Sequence, residues 1–155
     1  MLDMNIVIDR LIFHEGLRLT PYKCRAGKWT IGVGRCIETN PFTYEELKAV
    51  GNWQKGITRN AAIMLLRNDI EKCLNKLNTW KWYKDLDDER QYALLDMCYQ
   101  LGFEGLGRFT NMLKNIRIKI WEEAAKECLN SKYHQQTPKR CERIAQLIKT
   151  GHWKI

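Results

Sequence analysis

The stretch HEGLRLTPYKCRAGKWTIGVG, residues 14–34, decides how the rest of this chain is read. In its second half Trp29, Ile31 and Val33 alternate with Thr30, Gly32 and Gly34. A period of two signals a strand, and Ala26-Gly27 ahead of it suits a tight turn. The pattern therefore predicts a sheet region from Tyr22 to Thr39. One of its faces is bulky; the other is a threonine followed by two bare glycines, a surface that a ligand backbone can approach closely. On the other side of the stretch, residues 3–14 predict a short amphipathic helix with Ile6, Leu11 and Ile12 among its apolar positions. Glu15 falls where that helix ends, with Gly16 after it.

Working outward, Asn40-Pro41 breaks the sheet region, and Thr43 caps a short helix, YEELKAV, that stops at Gly51. Thr58 opens a long periodic run from Arg59 to about Leu77. Its apolar positions Ala62, Leu65, Leu66, Ile70, Cys73 and Leu77 keep helical steps of three and four. At 1.5 Å per residue such a helix spans roughly 28 Å, long enough to join two small lobes. Further helical runs are expected over 88–101, 109–115, 120–130 and 138–150. Gly102, Gly105 and Gly107 punctuate them, and Thr137-Pro138 reads as an N-cap followed by proline at the first helical position. The fold class expected is α+β, in one domain: an N-terminal lobe of about 14–57 with a short antiparallel sheet, a linking helix of about 58–77, and a helical C-terminal lobe of about 78–155 that also takes up the N-terminal helix.

The chain has 155 residues, with 26 Lys and Arg against 18 Asp and Glu, for a formal charge of +8. That excess points to anionic partners: nucleic acid, an acidic lipid surface or an anionic cell-wall polymer. Nucleic acid would call for lysine and arginine clustered with aromatics on one element, and KNIRIKIW and TPKRCER are too short and mixed for that. The N-terminus, MLDMNIVIDRLIF, contains Asp3 and Asp9 and has no small-residue cleavage site, so neither a signal peptide nor a membrane anchor is expected. Six cysteines at 24, 36, 73, 98, 128 and 141 form no CxxC and pair with no histidine in a zinc pattern. No metal or other cofactor is expected. Reduced thiols behaving as small hydrophobes, and synthesis in the cytoplasm, are the expectation.

Three groups in the opening stretch carry chemistry. A carboxyl at a helix end, facing a cleft and partly withdrawn from water, can serve as a general acid, and Glu15 holds that place. Cys24 begins the hairpin, and Thr30 stands on the glycine face of the strand. A helix end, a loop and a strand within 16 residues can converge on one cleft.

The run EGLRLTPYKCRAGKWTIGVG resembles the catalytic signature of the phage T4-type lysozymes, glycoside hydrolase family 24. That signature is a glutamate, then an aspartate or sometimes a cysteine, then a threonine. Glu15, Cys24 and Thr30 match its spacing, with eight and then five residues between them. The resemblance continues in LLDMCYQLGFEGLGRFTNMLK, in WEEAAKECLNSKYHQQTPKRCERI and in the closing TGHW, and is weakest around 40–60. It implies a lysozyme-like fold and hydrolysis of the β-1,4 bond between N-acetylmuramic acid and N-acetylglucosamine in peptidoglycan, with inversion at the anomeric carbon. Glu15 would protonate the leaving oxygen while Cys24 and Thr30 hold the attacking water. The cysteine replaces the commoner aspartate. As a thiolate, favoured by Lys23, Arg25 and Lys28 and opposed by the charge of Glu15, it could position water, act as base, stabilise positive charge at the sugar, or attack as a nucleophile, and the last would give retention.

By the same resemblance, Tyr99, Gln100, Phe109, Gln136 and Arg140 are expected to bind substrate. Cys36 joins them, and with Met112, Glu127 and Lys132 it stands at a cleft position where this chain departs from the family pattern. The implied biology is an endolysin: a monomer that gathers in the host cytoplasm and reaches the wall after a separate holin permeabilises the membrane. No stable membrane association is expected. A lytic transglycosylase and a catalytically impaired wall-binding relative are the alternatives.

Overall fold

A computed structural model describes residues 1–155 of the chain. The backbone divides into two units, Asp3–Glu71 in one and Met1–Leu2 with Lys72–Ile155 in the other.

The first unit opens with α1, Met4–Glu15, capped by the Asp3 carboxylate accepting from the Asn5 amide at 2.9 Å. Its buried positions are Val7, Ile8 and Leu11. Ile6, expected to face inward, is 45% exposed, because the buried stripe of the helix runs through Val7 instead. Gly16 ends α1 with φ 78°, its amide donating to the Ile12 carbonyl at 2.7 Å. Three strands follow in an antiparallel sheet of order β1-β2-β3: β1 Arg18–Lys23, β2 Trp29–Gly32 and β3 Arg35–Cys36. The sheet starts at Arg18, earlier than the Tyr22 the pattern predicts. Residues 18–20 are exposed and do not alternate, so their strand state comes from pairing with β2 and not from local pattern.

Helix α2, Tyr44–Val50, carries a full capping box between Thr43 and Glu46, and α3 spans Arg59–Leu77 as the periodicity requires. Ile31, Val50, Ile57, Ala61, Ala62 and Leu65 form the core that seats the sheet on α3. Each of its larger aliphatic side chains, such as Ile31 and Leu65, contributes roughly 1.5–3 kcal/mol when fully buried.

Beside that core lies a buried charge. Arg35 is 2% exposed, and its guanidinium spends its donors on four residues. Nη2 reaches Glu46 Oε1 at 2.7 Å, Nη1 reaches Glu46 Oε2 and Asp69 Oδ1 at 3.1 Å each, and Nε and Nη2 reach the carbonyls of Asn40 and Pro41 at 2.7 and 3.2 Å. Asn40 and Asn68 supply further amide donors to Asp69 and Glu46. A charge this deep is tolerable only because its donors are used.

Helix α3 carries the chain into the second unit. There α4, Asp88–Gly107, is broken at Gly102, whose φ of 80° and ψ of 160° lie outside the helical region. The break falls where the glycine in the sequence predicts an end. The remaining helices are α5 Thr110–Arg117, α6 Trp121–Leu129, α7 Lys132–Gln136 and α8 Pro138–Thr150. The short α7 is not predicted from the sequence; it is held by Ser131 accepting from the His134 amide at 3.3 Å. Arg90 closes the C-terminal end of α8, donating to the carbonyls of Ile148 at 2.8 Å and Lys149 at 3.2 Å while its guanidinium lies 4.2 Å over the Trp121 ring. A cation there meets the negative end of the helix dipole. The α+β class, with one small antiparallel sheet and many helices, is the expected one. No helix is long and apolar enough to cross a membrane.

Candidate active site

In the first unit, Cys24 takes the first position of the turn that joins β1 to β2. Its amide donates to the Lys28 carbonyl at 2.9 Å, and the Gly27 amide returns to the Cys24 carbonyl at 2.8 Å. Gly27 adopts φ 77°, which suits glycine and completes the tight turn that Ala26-Gly27 predicts. The register that follows pairs Tyr22 with Thr30, and Thr30 with Cys36. Paired residues share a face, so Tyr22, Thr30 and Cys36 form one cross-strand row. Thr30 is 3% exposed, and its hydroxyl donates to the Lys28 carbonyl at 3.0 Å.

The Cys24 thiol is held below its ordinary pKa, first by the Lys28 amide, then by the Ala26 amide, against a smaller cost of burial, with the Thr30 hydroxyl adding to the effect. The thiolate is therefore favoured by the turn's own backbone donors. The sequence reading credits neighbouring lysine and arginine charges instead. Lys23 in fact sends its ammonium over the Trp29 ring, 5.4 Å from the centroid.

Glu15 leaves α1 at its last residue and lays its carboxyl on Gly34. A Cβ added to Gly34 would lie 2.5 Å from Glu15 Oε1 and 3.0 Å from its Cδ. Gly32 in the same way faces Ala62 of α3, at 3.8 Å from a Cβ placed there. The bare glycine face is thus occupied by the protein itself, which corrects the expectation that it is kept clear for a ligand backbone. Tyr22 ties the group together. Its hydroxyl is pushed above the usual tyrosine range by burial and then by the charge of Glu15, with a smaller push from Cys24 and an opposing pull from Arg18. Sequence reasoning passes over Tyr22, although the hairpin register that places it opposite Thr30 follows from a turn at 24–27.

In the second unit, Phe109 and Gln136 line a cavity of about 640 Å³, together with Met112, Glu127 and Lys132. Five positions singled out from the sequence thus meet in one place. Tyr133 lines the same cavity; it is 3% exposed, and its hydroxyl has no hydrogen-bond partner. Its ring meets Phe109 edge-on, with centroids 6.2 Å apart. Tyr99, Gln100 and Arg140 do not line this cavity. Gln100 donates from Nε2 to Thr137 Oγ1 at 3.1 Å, and its buried Oε1 is unpartnered. Thr137 therefore stands at the N-cap position of α8 but its hydroxyl serves Gln100 and not the helix. Arg140 donates from Nε to Asp96 Oδ1 at 2.9 Å, and the Tyr92 hydroxyl donates to Asp96 Oδ2 at 2.7 Å. Asp96 is fully buried, so this pair holds α4 to α8. Asp96 carries no signal in the sequence beyond being an acid on the buried face of a helix.

No cluster of three or more His, Cys, Asp or Glu side chains is arranged to hold a metal ion. What the first unit offers is a carboxyl, a thiol biased towards thiolate and a hydroxyl around one tyrosine, a set able to donate a proton and orient a water. What the second offers is a polar, aromatic-floored cavity.

Comparison with known proteins agrees in extent with these features. The phage lysozyme family model matches residues 13–147. Two proteins of Dictyostelium discoideum, named "Probable T4-type lysozyme 2" and "Probable T4-type lysozyme 1", are each 32% identical to this chain. Their alignments cover 94% and 96% of it, and 95% and 96% of their own lengths. An endolysin of Acyrthosiphon pisum secondary endosymbiont phage 1 is 30% identical over 74% of this chain and 68% of its own. The match spans both units, and the chain belongs to the phage lysozyme family.

Proposed function

We propose that this chain is a muramidase of the endolysin type. It hydrolyses the β-1,4 bond between N-acetylmuramic acid and N-acetylglucosamine in peptidoglycan, and so lyses a host cell once the membrane has been permeabilised. The observation that carries the reading is the arrangement of Glu15 on Gly34 with Cys24 and Thr30 around Tyr22. Glu15 gives its proton to the leaving glycosidic oxygen as the bond to the anomeric carbon breaks. A water attacks that carbon from the opposite face and passes its proton to the Cys24 thiolate.

Thr30 has one hydroxyl proton and two acceptors for it, the Lys28 carbonyl and the Cys24 sulfur. With that proton on the carbonyl, its lone pairs are free to accept from the water and set its direction. Inversion of the anomeric centre follows from this division of labour. Cys36, in the same cross-strand row, contributes a substrate contact in the first unit. Phe109 and Gln136 in the cavity, with Tyr99, Gln100 and Arg140 on α4 and α8, contribute contacts in the second. The unpartnered Tyr133 hydroxyl supports the cavity as a place for a ligand with hydrogen-bonding groups.

Purified protein is expected to clear a suspension of peptidoglycan, and Glu15→Gln to lower turnover by about 10²–10⁴-fold. Mass spectrometry of the released fragments should find reducing N-acetylmuramic acid ends. Anhydromuramyl ends would make the enzyme a transglycosylase, and full activity in Glu15→Gln would remove Glu15 from the mechanism.

A further inference from the structure

Neither the proton transfers nor the cavity make use of the pair Cys128 and Cys141. Cys128 lies on α6 and Cys141 on α8, 13 positions on, and both are 0% exposed. Their sulfurs are 3.8 Å apart, and the Cys141 thiol reaches the Cys128 carbonyl oxygen at 3.4 Å. All six cysteines are free thiols. A disulfide needs its sulfurs at about 2.05 Å, so this pair has to close by less than about 2 Å. Two buried thiols that already meet across a helix pair need no long search for one another, and that gives the intramolecular reaction a high effective concentration.

From this juxtaposition we infer that Cys128 and Cys141 are a disulfide modification site, closed by a small disulfide oxidant such as oxidised glutathione. The Cys128 thiol loses its proton to solvent, and its sulfur attacks one sulfur of the oxidant. The oxidant's S–S bond breaks, and one glutathione thiolate leaves and takes up a proton. Cys141, deprotonated in turn, attacks the Cys128 sulfur and releases the second glutathione. Two protein thiols and one oxidised glutathione become one protein disulfide and two glutathione thiols, so the electron pair passes to the glutathione.

The folded state sets the rate. The hydrogen bond to Cys141, followed by burial, pushes the Cys128 thiol far up, and no oxidant reaches a sulfur with no exposed surface. Closure therefore waits on local opening of the α7–α8 segment, and oxidation tracks how often that segment opens. Cys73 is the internal contrast. It is partly exposed and hydrogen-bonded to Cys98 on α4, so an oxidant can meet it without the opening that Cys128 and Cys141 need. Once made, the Cys128–Cys141 bond ties α6 to α8 and restricts the unfolded chain.

The test uses the parent protein, Cys141→Ser and Cys73→Ser, equilibrated in glutathione buffers of rising oxidised fraction with sub-denaturing urea. Samples are quenched in acid, alkylated and digested. In the parent and in Cys73→Ser, a linked peptide joining Cys128 to Cys141 is expected. The parent's melting temperature should rise by about 5 °C or more, and dithiothreitol should reverse it. Cys141→Ser should show neither the linked peptide nor the reversible rise. Alkylation of both Cys128 and Cys141 as thiols at the oxidised end of the series would overturn the inference. So would a bond from either one to a different cysteine. The parent's peptide map decides the question alone should Cys141→Ser fail to fold, and none of these readings depends on catalytic activity.

Discussion

The carboxyl of Glu15 rests on the α-carbon of Gly34, so closely that a methyl group there would stand 2.5 Å from Oε1. Gly34 also holds φ 69°, which a side chain resists. Gly34→Ala should therefore act twice. The displaced acid should lower turnover of peptidoglycan by about 10²-fold or more. The strained backbone should cost about 1–2 kcal/mol of stability. Steady-state rates and a urea titration on the same preparation separate the two. Unchanged turnover would mean that Glu15 does not need this seat.

Cys24 is held towards thiolate by the Lys28 and Ala26 amides, donors that do not depend on residue type. Cys24→Asp should therefore keep a charged acceptor in the same cradle and remain active. Cys24→Ala should lose the acceptor and most of the rate, about 10²-fold or more. The sign of the pH effect follows from the role. A thiolate base loses activity as pH falls through its own pKa, so the acid limb of the parent profile should move to lower pH in the Asp variant. Anomer analysis by NMR adds a separate reading: a retained anomer in the parent would make the sulfur a nucleophile.

Burial works against the charge on Glu46, but the hydrogen bonds from Arg35, from Asn68 and from the Thr43 amide outweigh it and bring its pKa down to about 2. Its ordinary value is 4.5, so the unfolded chain takes up this proton first as the solution is acidified. The stability tied to Glu46 is whole above about pH 4.5 and is lost as pH falls towards 2, about 3 kcal/mol in all. Glu46→Gln should remove that part of the acid slope and cost about 3 kcal/mol near neutrality, because Arg35 is left buried with one carboxylate fewer. Urea midpoints across pH 2–7 check both statements.

The excess of eight positive charges should speed encounter with an anionic wall. Activity on whole walls is then expected to fall several-fold as ionic strength rises from about 0.01 to 0.15 M, since the screening length shortens from about 30 to 8 Å. Hydrolysis of a short uncharged glycan should change little over the same range. Equal salt dependence on the two substrates would show that charge does not serve capture.

Much of this could be read from residues 14–34 because the signals there are local. A turn at Ala26-Gly27 sets the β1–β2 register and places Thr30 opposite Tyr22, while the second turn, at Val33-Gly34, places Thr30 opposite Cys36. The cap at Thr43, the start of α3 at Arg59 and the break at Gly102 were legible for the same reason: each is written in a few adjacent residues. Long-range partnerships were not. Arg35 to Asp69 spans 34 positions and Arg140 to Asp96 spans 44, and no periodicity marks a charge that will be buried. The glycines at 32 and 34 misled for a related reason. A missing side chain tells that something comes close, but only the fold tells that the visitors are Ala62 and Glu15.

The two-residue strand β3 shows what the buried guanidinium of Arg35 does beyond neutralising acids. So short a strand has little ladder of its own with which to choose its register. Its arginine must meet Glu46 on α2, Asp69 on α3 and the chain turn at Asn40-Pro41 together, or leave a charge stranded away from water. Arg35 thereby acts as a proofreader of assembly. A hairpin shifted by one residue would fail its check, because the guanidinium would then be buried away from these acceptors.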